Sequence, residues 1–247
     1  MNRELITIDC REHDINTKMK RSFNVVRYLF FYQTDNTDKK LIESLITEGK
    51  KLACFVNPGA VNNGTSKSTF TRIICNCIVG VLSEYLWKDY LNREKTIVRA
   101  TECKDIAAQI DLEIISNKKK IEVRSSFPRN GIPFAICNSC FEFDVIGPYS
   151  NKYKPGEVQK DYYVRTLFHL HDPLELITKI KQDGFEAYLA GGATWKMMIN
   201  NNFAKQKNLK PHGDISLIRE ENAANYRVVP FSNALDTTEI CNLIRIE

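Results

Sequence analysis

Between Ile110 and Phe127 the chain alternates apolar and polar residues on either side of a short lysine-rich turn. That period of two commits both arms to β-strands with one buried face. Ile110, Leu112 and Ile114 take one side of the first arm, and Asp111 and Glu113 take the other. In the second arm Ile121 and Val123 point to the core, while Glu122 and Arg124 share the opposite face. Ser116 to Lys120, one turn-former and three lysines among them, closes a hairpin. Three carboxylates and a guanidinium are thereby gathered on one side of two adjacent strands. Like charges opposed across strands destabilise a sheet. A cation among them resolves the conflict, and all-oxygen donors without a nearby histidine point to magnesium. The same pattern also fits a plain solvated strand face.

The spacing resembles that of the PD-(D/E)XK nuclease superfamily, which includes many restriction endonucleases. Its signature is an Asp at the start of one strand and an acidic-x-Lys triplet on the next. Asp111 matches the first part and Glu122-Val123-Arg124 the second, with Arg124 where the pattern has Lys and Ile110 where it has Pro. The resemblance spans roughly residues 68 to 127 and implies an α/β fold. That fold is a restriction-endonuclease-like core, a central mixed β-sheet flanked by helices. It implies that Asp111, Glu122 and the backbone carbonyl of Val123 hold Mg²⁺ and that Arg124 stands in for the motif Lys. Arginine supplies the electrostatic part of that role through its fork of donors, but it stays protonated and cannot act as a base. The resemblance further implies a Mg²⁺-dependent endonuclease on double-stranded DNA, of the type II restriction kind, acting as a homodimer. The alternative is a catalytically degenerate nucleic-acid-binding protein of the same fold.

Upstream, apolar residues recur at Phe70, Ile73, Ile74, Cys77, Ile78, Val81, Leu82, Tyr85 and Leu86. This is the period of an amphipathic helix over 68–91, with Ser68 as its N-cap. Glu84 lies at the border of the apolar stripe, where it is either an ordinary flanking charge or, as the resemblance implies, a further catalytic carboxylate. Glu102 and Asp105 are second-choice acids in a turn before the Asp111 strand.

A chain of 247 residues with 43% hydrophobic and 26% charged residues has the composition of a globular protein with a sizeable core. Residues 1–62 read as an N-terminal extension or subdomain and 63–247 as the nuclease-like domain with late strands. The former holds strands at Leu5–Ile8 and Val25–Phe31, a helix at Lys39–Lys51 and a strand near Leu52–Val56. Beyond the hairpin, Pro133–Val145, Asp161–His171 and Glu186–Ala190 read as strands and Pro173–Gln182 as a helix. A polar linker at Asn200–Lys210 precedes strands at Asp214–Ile218 and Tyr226–Phe231 and a closing helix or strand at Asp236–Ile244. The start of the chain has no signal-peptide pattern and no apolar run reaches membrane length, so the expected compartment is the cytoplasm.

The net charge of +5 tolerates nucleic acid without demanding it. Candidate phosphate contacts are Lys118, Lys119 and Lys120 at the hairpin, Arg129 and Asn130 after it, and Lys152 and Lys154 in a tyrosine-containing loop. Lys196 follows Gly191-Gly192-Ala193-Thr194, which reads either as a tight strand-to-helix connection or as an anion-binding helix start. Eight cysteines lie mostly in apolar contexts. Cys137 and Cys140 form the one suggestive pair, and a zinc site there requires His169 and His171 as the other ligands.

Overall fold

The computed structural model describes residues 1–13, 21–56, 69–101, 111–138, 143–150, 159–209 and 224–246. The N-terminal part runs β1 (Asn2–Asp9), α1 (Cys10–His13), β2 (Ser22–Phe31), α2 (Asn36–Ala53) and α3 (Phe70–Leu91). Next come β3 (Val98–Ala100), β4 (Leu112–Ile114), β5 (Lys120–Ser126), α4 (Ile132–Cys137), β6 (Val145–Ser150) and β7 (Tyr162–Leu167). The chain continues through α5 (Leu176–Lys179), β8 (Asp183–Thr194), α6 (Trp195–Ile199), β9 (Lys205–Leu209), β10 (Ala224–Val229) and α7 (Thr237–Ile246).

The protein is α/β, and its centre is a mixed seven-stranded sheet in the order β1-β2-β8-β7-β5-β4-β3. Within it β5 and β7 pair in parallel and the other neighbours pair antiparallel. A parallel pair needs a crossover connection, and here α4 and β6 lie between the two strands. Every residue of β7 is buried, as expected of a strand covered on both faces.

One face of the sheet carries α2, α3 and α7. Ile121 and Val123 of β5 and Val164 of β7 pack there with Ile78, Leu82 and Leu86 of α3. Trp87, fully buried, donates its indole N–H to Thr166 Oγ1 at 3.1 Å and fastens α3 to β7. The other face carries α4, α6 and a small sheet of order β6-β10-β9, joined through Tyr163, Leu167, Ala190, Val145 and Val229. By length and composition α3 also qualifies as a membrane span, but its apolar side chains are spent on this core.

Several sequence expectations shift. Thr69, not Ser68, caps α3, accepting from the Arg72 N–H at 3.3 Å; Ser68 lies outside the described residues. Leu52 and Ala53 end α2 rather than open a strand, because Ala53 completes the face that meets Ile73 and Cys77 of α3. Pro133 sits in the first turn of α4, where its missing N–H costs nothing, so the expected strand at Pro133–Val145 is a short helix followed by the start of β6. The polar stretch after Asn200 forms β9, and Asp236–Ile244 resolves as helix α7. The expected strand at Asp214–Ile218 lies outside the described residues. The N-terminal elements are integral: β1 and β2 extend the main sheet, and α2 crosses α3.

That crossing is tight. A Cβ on Gly49 would lie 2.7 Å from the Ile78 Cα, closer than real side chains come. Gly49→Ala is therefore expected to lower the melting temperature although alanine is the better helix former. An overpacking cost of about 1–3 kcal/mol corresponds to a fall of several degrees for a domain of this size, measurable by thermal denaturation.

Candidate functional site

The candidate site forms where the main sheet forks. β4 meets β5 only at Leu112↔Ile121 and Glu113↔Lys120. β5 runs on to Ser126 beside β7, and among the described residues no strand pairs with its other edge beyond Ile121. A buried backbone N–H left at such an edge needs a partner. Asp111, at the bend before β4 and 7% exposed, supplies it: its Oδ2 accepts the Val123 N–H at 2.6 Å. Both backbone groups of a strand residue point toward the same neighbour, so the Val123 carbonyl opens onto the same fork.

Two more carboxylates approach this point. Glu122 lies on the face of β5 turned away from α3, and Glu84 reaches in from α3, half-buried. Burial pushes the Asp111 carboxyl up to about 8, and the Glu122 charge adds to the effect; the Val123 N–H, Arg124 and Lys160 pull the other way. The Glu84 carboxyl is raised well above its ordinary range by burial and then by the charges of Asp111, Glu48 and Glu122. The three acids therefore sense one another electrostatically.

Two cations offset them. Arg124 Nη2 lies 3.1 Å from Glu122 Oε1, and Lys160 Nζ lies 3.1 Å from Glu122 Oε2. Lys160 is 3% exposed. It precedes β7, and the parallel pairing of β7 with β5 carries it to the start of the motif strand, where Asp161 also binds the Lys120 N–H at 2.8 Å. No motif spacing in the sequence announces Lys160; only the strand pairing places it.

Fully ionised, three acids would face two bases; the raised Asp111 and Glu84 carboxyls relieve that negative excess by holding protons. A divalent cation would discharge the same excess. The donors also suit a hard ion: carboxylates and a backbone carbonyl, with no thiolate or imidazole among the described residues of the cluster. In type and charge Asp111, Glu122, Glu84 and the Val123 carbonyl fit Mg²⁺. They do not stand as a finished cage: among the described residues no three His, Cys, Asp or Glu side chains already surround a common point.

Other expectations resolve differently. Glu113 does not join the cluster; it binds Arg99 of β3 at 2.7 Å and faces Lys118 at 3.7 Å. Glu84 takes its place as third acid. Lys118 holds the turn with a φ of 62°, Lys119 donates its N–H to Asn117 Oδ1 at 3.0 Å, and Lys120 is already in β5. Lys196 is exposed on α6, while Lys152, Lys154, Glu102 and Asp105 lie outside the described residues. Gly191 and Gly192 belong to β8, and their N–H groups are taken by Thr237 Oγ1 and the Leu235 carbonyl, both at 2.9 Å. They are thus not available to an anion. Close contact with Leu235 and Asp236, where no Cβ fits, explains Gly191. Cys137 is fully buried in the core, and the His169 and His171 rings lie 5.6 Å apart, tilted by 57°, with His169 Nε2 on the Arg129 carbonyl at 3.2 Å. The zinc set does not assemble among the described residues, and Cys140 lies outside them.

Because Asp111 binds its proton more tightly folded than unfolded, it favours folding fully below about pH 4 and loses that contribution as pH rises toward 8. Asp111→Asn keeps an acceptor for the Val123 N–H without the charge. It is expected to raise the melting temperature at pH 8 by several degrees and to change it little at pH 4, in melts run without divalent ions.

No protein-family model matches the chain. An uncharacterized protein of Methanocaldococcus jannaschii is 27% identical over 242 residues, covering 84% of this chain and 83% of that protein. No solved structure matches.

Proposed function

We propose that this chain is a Mg²⁺-dependent endonuclease that hydrolyses phosphodiester bonds in DNA. The observation that carries the reading is the buried Asp111 at the sheet fork, whose charge with that of Glu122 raises the Glu84 carboxyl, and beside which Glu122 pairs with Arg124 and Lys160. Such a cluster of mutually repelling, partly buried acids costs stability, and a metal-dependent reaction gives a reason for it. The mixed sheet with flanking helices agrees with a restriction-endonuclease-like core.

Asp111, Glu122 and the Val123 carbonyl would hold the ion, with Glu84 as a further acidic group. Bound Mg²⁺ supplies Lewis-acid charge to the scissile phosphate and acidifies a water molecule. The protein's own part is electrostatic and positional. Arg124 and Lys160, both held by Glu122, present positive charge to a phosphate whose negative charge grows as water adds and the P–O bond to the leaving oxygen breaks. Lys160 carries the ammonium that the motif position lacks, so the Arg124 substitution does not empty the site of a lysine. Cutting both strands of a duplex calls for two such sites, hence a homodimer of the type II restriction kind.

The alternative, a binding protein with a degenerate site, draws on the same ion pairs: Glu122 is already neutralised internally. Cleavage of supercoiled plasmid with Mg²⁺ against EDTA separates the two. Glu122→Gln is expected to slow cutting by more than about 100-fold, beyond the usual effect of an outer-shell group. Lys160→Met should cost more than Lys160→Arg. Undiminished cutting by Glu122→Gln would remove the fork from the mechanism.

Metal binding has its own readout. Mg²⁺ must displace the Asp111 proton, so it should raise the melting temperature more at pH 8 than at pH 6. Glu122→Gln should lose that increment. A degenerate site would show no Mg²⁺-dependent shift at either pH.

A further inference from the structure

Beyond the fork, at the far end of β5, lies a cavity of about 610 Å³, within the range of pockets that hold small ligands. Its walls come from the start of α3, the end of β5, the turn after it, α4, and the segments at Phe143 and Pro173. Two guanidiniums border it, Arg72 and Arg129. Among the described residues neither forms an ion pair with a carboxylate. Arg72 is half-buried in the first turn of a 22-residue helix, where the helix dipole also favours an anion. Three aromatic residues, Phe127, Phe134 and Phe143, line the same cavity.

The wall is fixed from beneath. Arg165, 2% exposed, donates from Nε to the Phe143 carbonyl at 3.1 Å and from Nη2 to Ser126 Oγ. Both Phe143 and Ser126 line the cavity. The buried guanidinium thus sets the separation of two walls and adds positive charge behind them.

Two guanidiniums that pair with no carboxylate among the described residues, lining one cavity with three phenyl rings, match a ligand that carries both an anionic group and a flat aromatic one. We propose that this cavity binds a nucleoside monophosphate unit, its phosphate on Arg72 and Arg129 and its base against Phe127, Phe134 and Phe143. Guanidinium forks suit phosphate oxygens, and stacking on aromatic side chains accepts any base. The unit is either a free nucleotide or a nucleotide of an unpaired strand. Ser126 lies four residues along β5 from Glu122, about 13 Å at the rise of a strand, so the cavity is separate from the carboxylate cluster but on the same strand. Its occupation needs no metal.

The test is calorimetric titration of the full chain in EDTA with thymidine monophosphate, thymidine and inorganic phosphate. Thymidine monophosphate is expected to bind at least about tenfold more tightly than either fragment. Arg72→Ala/Arg129→Ala should weaken it by about tenfold or more, the usual loss for a charge-assisted contact, and Phe134→Ala should weaken it without changing phosphate binding. Arg129→Ala alone, at an exposed position, gives the same direction of change in a variant whose fold is not at stake. Binding no tighter than that of inorganic phosphate, or unchanged in the arginine variants, would overturn the proposal. Displacement of a ten-nucleotide thymidine strand by thymidine monophosphate assigns the cavity to a strand; its absence, with the mononucleotide bound, assigns it to the free nucleotide. Glu122→Gln should keep full affinity. Nucleotide binding without any plasmid cleavage would leave this site standing and the nuclease reading fallen, and cleavage without nucleotide binding would do the reverse.

Discussion

The hydrogen bond from the Val123 N–H to the Asp111 carboxylate is the contact on which the candidate site depends. β5 lies inside the main sheet, yet β4 pairs with it over two residues only. Beyond that point an unmet backbone donor in a dry environment would cost the strand free energy. Asp111 meets it at 2.6 Å and in doing so brings a carboxylate to where a third strand residue would otherwise be. The fork, the buried acid and the Val123 carbonyl turned toward the fork are thus one structural event.

Around that point the protein balances charge internally. Glu122 engages both Arg124 and Lys160, and the raised Asp111 carboxyl takes up a proton at moderate pH. Burying acids beside one another is unfavourable unless protons, bases or a cation compensate. On the neighbouring β7 and before β6 the theme recurs with opposite sign. Burial and the neighbouring Arg124 lower the Arg165 guanidinium to about 9, while burial raises the Asp144 carboxyl to about 7. β5 thus runs from the acidic fork to a cavity bordered by Arg72 and Arg129, which other segments contribute.

Much of the fold was legible because periodicity survives in a sequence. The alternation from Ile110 to Phe127 marked β4 and β5 and the faces of Ile121 and Val123, and the apolar stripe marked α3 to within a residue at its start. What misled were short apolar stretches, which do not distinguish a strand from the end of a helix: Leu52–Val56 and Pro133–Val145 lack enough turns to show a period. The strand expected at Glu186–Ala190 runs on as the long β8 through Gly191 and Gly192, because these two glycines answer to Leu235 and Tyr163 rather than to a turn.

For the candidate site the division is similar. Asp111, Glu122, Val123 and Arg124 are neighbours through one hairpin, so local sequence determined their grouping, and the α3 stripe determined that Glu84 borders the core. Which acids meet was decided by tertiary structure alone. Glu113 has the same alternation as Asp111 but finds Arg99 on β3, whereas Glu84 arrives because α3 lies across β5. Lys160 and the Arg72–Arg129 cavity belong to the same category: their members are separated by dozens of residues and meet through the parallel β5–β7 pairing and the seating of α3. Local pattern specifies which face a side chain takes; only strand order and helix seating specify what it faces.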